Sequence, residues 1–120
     1  MPKILLLEND KWFAESLKAT LQADFEVKIC RSPEKVFAIL DKWRPDLMLA
    51  DAVLGEKNLF MLLNEMQSYV DTREIKTIIL SVSAPRIDPR DVVIFNVKKV
   101  LDKATVELGE LKKEILRCVE

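Results

Sequence analysis

Apolar residues recur along this chain in two spacings, and the alternation between them predicts the order of its elements. Short continuous runs, Ile4-Leu5-Leu6-Leu7 and Leu47-Met48-Leu49-Ala50, suit strands covered on both faces, as in a parallel sheet. Between such runs the apolar positions fall three or four residues apart. Phe13, Leu17 and Leu21 define a first amphipathic helix from about Lys11 to Gln22. Phe25, Val27 and Ile29 alternate with Glu26 and Lys28, which predicts a strand with one wetter face at a sheet edge. Ser32-Pro33-Glu34 then opens a second helix with Ser32 as its cap and Val36, Phe37, Leu40 and Trp43 as its buried stripe.

The third strand runs from Pro45 and ends abruptly at Asp51, and a loop through Gly55 and Asn58 leads to a helix with Phe60, Leu63, Met66 and Val70 inward. Ile75 to Val82 is the fourth strand. The segment from Asp88 to Val97 mixes signals, because Val92-Val93-Ile94-Phe95 favours strand while Asp88-Pro89-Arg90-Asp91 carries the cap, proline and acid of a helix start; a short helix is expected. Lys99 to Asp102 forms a fifth strand, and Thr105 is expected to cap a last helix with Val106, Leu108, Leu111, Ile115 and Val119 inward. Five strands alternating with five helices through right-handed crossovers predict a doubly wound α/β fold. Residues 1–120 are expected to form one domain with one core.

Composition narrows the chemistry. Nineteen basic residues against 20 acidic ones leave a formal charge of -1, so no overall field selects nucleic acid or an anionic membrane. Histidine is absent, which removes imidazole catalysis and histidine metal sites. With Gly55 and Gly109 as the only glycines, there is no glycine-rich phosphate loop and no nucleophile elbow. Cys30 and Cys118 are too few for a disulfide framework, and without a signal peptide or a long apolar run the chain is expected to be cytoplasmic. Trp12 and Trp43 are expected in partial core and surface packing.

What remains lies at the strand ends. Glu8, Asn9 and Asp10 follow the first strand, Asp51 ends the third, Ser81 lies at the end of the fourth and Lys103 follows the fifth. In open α/β sheets ligands bind beyond the carboxyl ends of the strands, and in the order 2-1-3-4-5 strands one and three flank the crevice. Glu8 and Asp51 would face one another there and repel unless a cation intervenes. Mg²⁺ suits such a place because it takes oxygen ligands and often uses one or two carboxylates with a phosphate oxygen. A carboxylate can form an aspartyl-phosphate; Lys103 and a metal would offset the phosphoryl charge, and Ser81 would offer a hydroxyl, with Ser83 as its competitor. Taken singly, each residue has a plainer reading: a helix cap for Asn9 or Asp10, a turn for Ser81, a solvated lysine for Lys103.

Those four stretches, Lys3 to Asp10, Pro45 to Asp51, Ile78 to Ser81 and Leu101 to Lys103, resemble the receiver domain of two-component response regulators in their order and intervals. The resemblance covers the whole chain and implies a flavodoxin-like fold with the sheet order 2-1-3-4-5. It implies that Asp51 takes a phosphoryl group from a sensor histidine kinase or phosphotransfer protein, with Mg²⁺ as cofactor. Glu8, Asn9, Asp51 and the Val53 backbone carbonyl would hold the metal, Lys103 would pair with the phosphate, and Ser81 would act as the switch hydroxyl. A changed surface would then reach a downstream protein target, with the chain a monomer or weak homodimer, a signalling domain rather than an enzyme, and no direct contact with nucleic acid or membrane.

Three residues depart from the family pattern. Asn9 replaces the second acid and lowers the charge available to a metal. Val100 stands where a switching Tyr or Phe is expected, and Ala104 follows Lys103 where proline is usual, which leaves that peptide bond's conformation open. These departures motivate an alternative, a pseudo-receiver that binds partners without phosphorylation. A phosphohydrolase with an aspartyl intermediate would want a second acid at position 53, where Val53 stands.

Overall fold

The computed structural model describes residues 1–120. Its main sheet contains β1 (Lys3–Leu7), β2 (Glu26–Cys30), β3 (Leu47–Ala50), β6 (Thr77–Ser81) and β7 (Val97–Asp102), all parallel, in the spatial order β2-β1-β3-β6-β7. In strand sequence this is the expected order 2-1-3-4-5. A small antiparallel hairpin supplies the two intervening strands, β4 (Val53–Leu54) and β5 (Lys57–Asn58). The helices are α1 (Lys11–Leu21), α2 (Val36–Leu40), α3 (Leu59–Gln67), α4 (Pro89–Ile94) and α5 (Leu108–Val119).

The apolar runs explain the layering, because side chains alternate across a strand and each central strand therefore supplies both faces. Leu5, Leu7, Met48, Ala50 and Ile79 join a core with Val36 and Leu40 of α2 and Leu59, Leu62, Leu63 and Met66 of α3, against which Val92 of α4 packs. Ile4, Leu6, Leu47, Leu49, Ile78 and Leu80 join the opposite core with Ala14 and Leu21 of α1 and Leu111, Ile115 and Cys118 of α5. Leu5, Met48, Leu49 and Ile79 are wholly enclosed. The sheet is thus covered on both sides, and its C-terminal edge remains open for β1, β3, β6 and β7 to present side chains.

Several element limits differ from those expected. The second helix starts as a single 3-10 turn over Pro33–Lys35, and Ser32 makes no side-chain cap; instead its carbonyl accepts the Cys30 thiol at 3.1 Å. The third helix stops at Gln67, which leaves Val70 exposed outside the apolar stripe, while the buried Thr72 hydroxyl bonds the Met66 carbonyl at 2.6 Å. The fourth helix does begin with Asp88 as its cap, accepting from the Arg90 N–H at 2.9 Å, but it ends at Ile94. Asn96 then takes a left-handed turn with φ 59°, a conformation asparagine tolerates, so that β7 begins already at Val97. Thr105 does not cap the last helix; its N–H closes a turn on the Asp102 carbonyl at 3.2 Å, and the helix starts at Leu108 after Glu107. Trp12 is 81 % exposed, so it packs into no core. No helix is long and apolar enough to cross a membrane.

Candidate functional site

Asp51 follows β3 directly, and its backbone N–H still bonds the Leu7 carbonyl at 3.0 Å, which fixes the residue to the edge of the sheet. The residue is buried, 6 % exposed, and its carboxylate is fully engaged. Oδ1 accepts from Ser81 Oγ at 2.5 Å and from the Val53 N–H at 3.0 Å, and Oδ2 accepts from Lys103 Nζ at 2.8 Å. These donors come from β6, from the start of β4 and from the loop after β7. One local donor, the Val53 N–H, and two distant in sequence, Ser81 and Lys103, therefore hold one carboxylate.

Glu8, at the end of β1, is also buried. Its Oε1 lies 2.6 Å from Lys103 Nζ, and its Oε2 accepts the Asp10 N–H at 3.0 Å. Asp10 in turn caps α1 through Oδ1 and the Phe13 N–H at 3.1 Å, so the acidic turn divides its labour: Asp10 caps the helix and Glu8 faces inward. Asn9 is exposed; a Cβ built on Gly55 would lie 3.6 Å from its Nδ2, which places the Asn9 side chain beside the hairpin turn. Its backbone carbonyl accepts from Arg31 Nε and Nη2 at 3.3 and 3.1 Å.

Lys103 is the hub of the cluster. Its ammonium bridges Glu8 and Asp51, lies 4.1 Å from the centroid of the Phe13 ring, and its side chain is only 14 % exposed. Burial pulls this ammonium toward neutrality, but hydrogen bonds and charge from Asp51 and Glu8 outweigh it and hold the group above the ordinary lysine value. The preceding backbone is anchored by the Lys103 N–H to the Ser81 carbonyl at 3.1 Å. The Lys103–Ala104 peptide is trans, and the Ala104 N–H donates to Asp102 Oδ1 at 2.9 Å, a bond that proline could not make.

An ammonium that touches two carboxylates at once marks a point of concentrated negative charge where a small cation would compete. The oxygen donors around it, the carboxylates of Glu8 and Asp51 with the amide of Asn9 nearby, fit Mg²⁺ by type. They fit it with little charge, because no group of three or more acidic, histidine or cysteine side chains gathers there. Val53 meets Asp51 through its N–H.

Of the residues expected at the site, Glu8, Asp51, Ser81 and Lys103 converge side chain to side chain, and Asn9 and Val53 border them. Sequence reasoning missed Phe13 under the lysine, the Val53 N–H and the Arg31 clasp on Asn9, none of which has a spacing signature. It also chose Ser81 over Ser83 as a competitor for one role, whereas the two are bonded, Oγ to Oγ, at 2.9 Å. Burial pushes the thiols of Cys30 and Cys118 above their ordinary value, so both stay protonated hydrophobes.

No protein-family model matches the sequence, and no curated protein sequence matches it. Solved structures do. The signal receiver domain of a signal transduction histidine kinase from Syntrophus aciditrophicus is similar at 25 % identity and a TM-score of 0.81, over 99 % of this chain and 90 % of that one. The receiver domain of a sensor histidine kinase from Pseudomonas aeruginosa PAO1, with a magnesium ion coordinated in its active-site cleft, is similar at 19 % identity and a TM-score of 0.84, over 98 % and 97 % of the two chains. The response regulator TrrA from Thermotoga maritima, in complex with Mg²⁺ and BeF, matches at 18 % identity and a TM-score of 0.83, over 98 % and 99 %. The chain has the receiver-domain fold, a flavodoxin-like five-stranded parallel sheet of the kind found in two-component signalling.

Proposed function

We propose that residues 1–120 act as one receiver domain whose Asp51 accepts a phosphoryl group from a phosphohistidine on a sensor histidine kinase or phosphotransfer protein. The observation that carries this reading is the hold on Asp51: Ser81 and Val53 donate to one oxygen and Lys103 to the other. In the transfer a carboxylate oxygen forms a bond to phosphorus while the phosphorus–nitrogen bond breaks, its electron pair staying on the departing imidazole. The carboxylate needs no base, which agrees with the absence of histidine. Lys103 would then pair with one phosphoryl oxygen and Ser81 would donate to another. Glu8, Asp51, the Asn9 side chain and the Val53 carbonyl would hold Mg²⁺, which supplies further positive charge against the phosphoryl oxygens. The altered surface would pass the signal to a protein target.

Labelled acetyl phosphate with Mg²⁺ tests the proposal without knowledge of the kinase. Wild type should take up label that hydroxylamine releases, as an acyl phosphate requires, and Asp51→Ala should take up none; equal labelling of both would overturn it.

One observation favours a second reading, a phosphorylation-independent interaction module. Lys103 already compensates both buried carboxylates, and Asn9 adds no charge. That reading predicts no Mg²⁺ binding at millimolar concentration. A saturable change in Trp12 fluorescence with Mg²⁺ that Glu8→Gln removes would contradict it.

A further inference from the structure

Ser83 lies half-buried two residues beyond Ser81, immediately before the 3-10 turn Ala84–Arg86. Its backbone N–H donates to Ser81 Oγ at 3.2 Å, and its own Oγ lies 2.9 Å from the same atom. The direction of the bond between the two hydroxyls follows from counting protons. Ser81 Oγ has one proton, and at 2.5 Å from a carboxylate oxygen that can only accept, that proton is committed to Asp51. Ser83 Oγ is therefore the donor. Ser81 Oγ uses its single donor position on Asp51 and both acceptor positions on Ser83, which leaves no hydrogen-bonding position free. The chain runs one way, from the Ser83 hydroxyl to the Ser81 hydroxyl to the Asp51 carboxylate.

We infer that Ser83 is a positioning residue that aims the Ser81 hydroxyl at Asp51 and carries any displacement of that hydroxyl into the connection between β6 and α4. The inference rests on the phosphoacceptor reading of Asp51. A phosphoryl group on Asp51 gives the Ser81 proton a new acceptor, and when Ser81 Oγ turns toward it both bonds from Ser83 must follow or break. Ser83 is not free to move alone. Its carbonyl accepts the Arg86 N–H at 2.9 Å and the Ala84 carbonyl accepts the Ile87 N–H at 3.2 Å, so the turn moves as a unit. Ile87 packs on the core beneath α2, α3 and α4, and Asp88 caps α4. On the neighbouring strand Val100 carries no hydrogen-bonding side chain, and beyond Asp51 the Ser81 hydroxyl bonds only Ser83, so the route outward from that hydroxyl passes through Ser83.

Amide NMR of the full chain, titrated with beryllofluoride and Mg²⁺, tests the relay. In wild type the amides of Asp51, Val53 and Lys103 shift, and so do those of Ala84 to Ile87. In Ser83→Ala the first group still shifts while the shifts at Ala84 to Ile87 fall about threefold or more, one neutral hydrogen bond having been removed from the chain, and Ser83→Thr, which keeps the hydroxyl, restores them. Wild-type shifts at Ala84 to Ile87 in Ser83→Ala would overturn the relay, as would a wild type that responds at Asp51 but not in the turn. A wild type with no response at Asp51 would overturn the phosphoacceptor reading itself, and the relay with it.

Discussion

Lys103 concentrates the energetics of the site, because two buried carboxylates share its one ammonium. Lys103→Met would leave Glu8 and Asp51 facing each other uncompensated, a loss of about 3 kcal/mol by the general cost of breaking a buried ion pair. Urea denaturation should show that loss, and Mg²⁺ should recover part of it by taking the lysine's place. The pH dependence has a definite sign. Because the folded protein holds the Lys103 proton more tightly than the unfolded chain does, the stabilisation is complete below the ordinary lysine pKa, about 10.4, and disappears as pH rises through the higher folded value. The stability difference between wild type and Lys103→Met should therefore stay level through neutral pH and shrink only in strong alkali. Ser81→Ala removes the donor to Asp51 Oδ1. Labelling by acetyl phosphate should slow about 10-fold or more, the worth of one hydrogen bond to a charged group.

At the scale of elements, the sequence was most legible where hydrophobic runs and caps coincide. The runs ending at Leu7, Ala50 and Leu80 placed three strands that carry the site, though the fourth strand was expected over Ile75 to Val82 and spans Thr77–Ser81; Asp88-Pro89 placed the start of α4 against the β propensity of Val92 and Val93. It was least legible where a single residue decides. Thr105 has the right type for a cap, but the chain first closes a turn in which the Thr105 and Val106 N–H groups both bond the Asp102 carbonyl, and the helix waits until Leu108. The hairpin of β4 and β5 turns on Gly55 at φ 68°, a left-handed conformation that glycine adopts without a Cβ penalty. Its short Gly-Glu turn was the missed signal, since a glycine at the head of a two-residue loop is a hairpin mark. Gly55→Ala should cost about 1–2 kcal/mol from backbone strain alone, because its Cβ would meet Asn9 at 3.6 Å, an ordinary contact. Thermal denaturation checks this.

At the scale of the whole molecule, the fold followed from the period of the pattern, because strands apolar on both faces demand helices on both sides. Leu49, enclosed in the centre of β3, has the α1 and α5 core around it. Leu49→Ala should cost about 2–5 kcal/mol in denaturant unfolding. The site's residue types were legible because the strand ends of such a sheet gather at one edge. Its internal bonding was not. No spacing in the chain tells that one lysine spans Glu8 and Asp51, or that Ser83 feeds Ser81, since both depend on side-chain paths set by packing. The peptide before Ala104 is trans, the default for any residue but proline.

Whether Asp51 is a phosphoacceptor is decided by peptide mass spectrometry after treatment with acetyl phosphate and Mg²⁺. A single phosphate is expected, located on Asp51 and absent from Asp51→Ala. A protein that gains no phosphate, or gains it equally without Asp51, would contradict it.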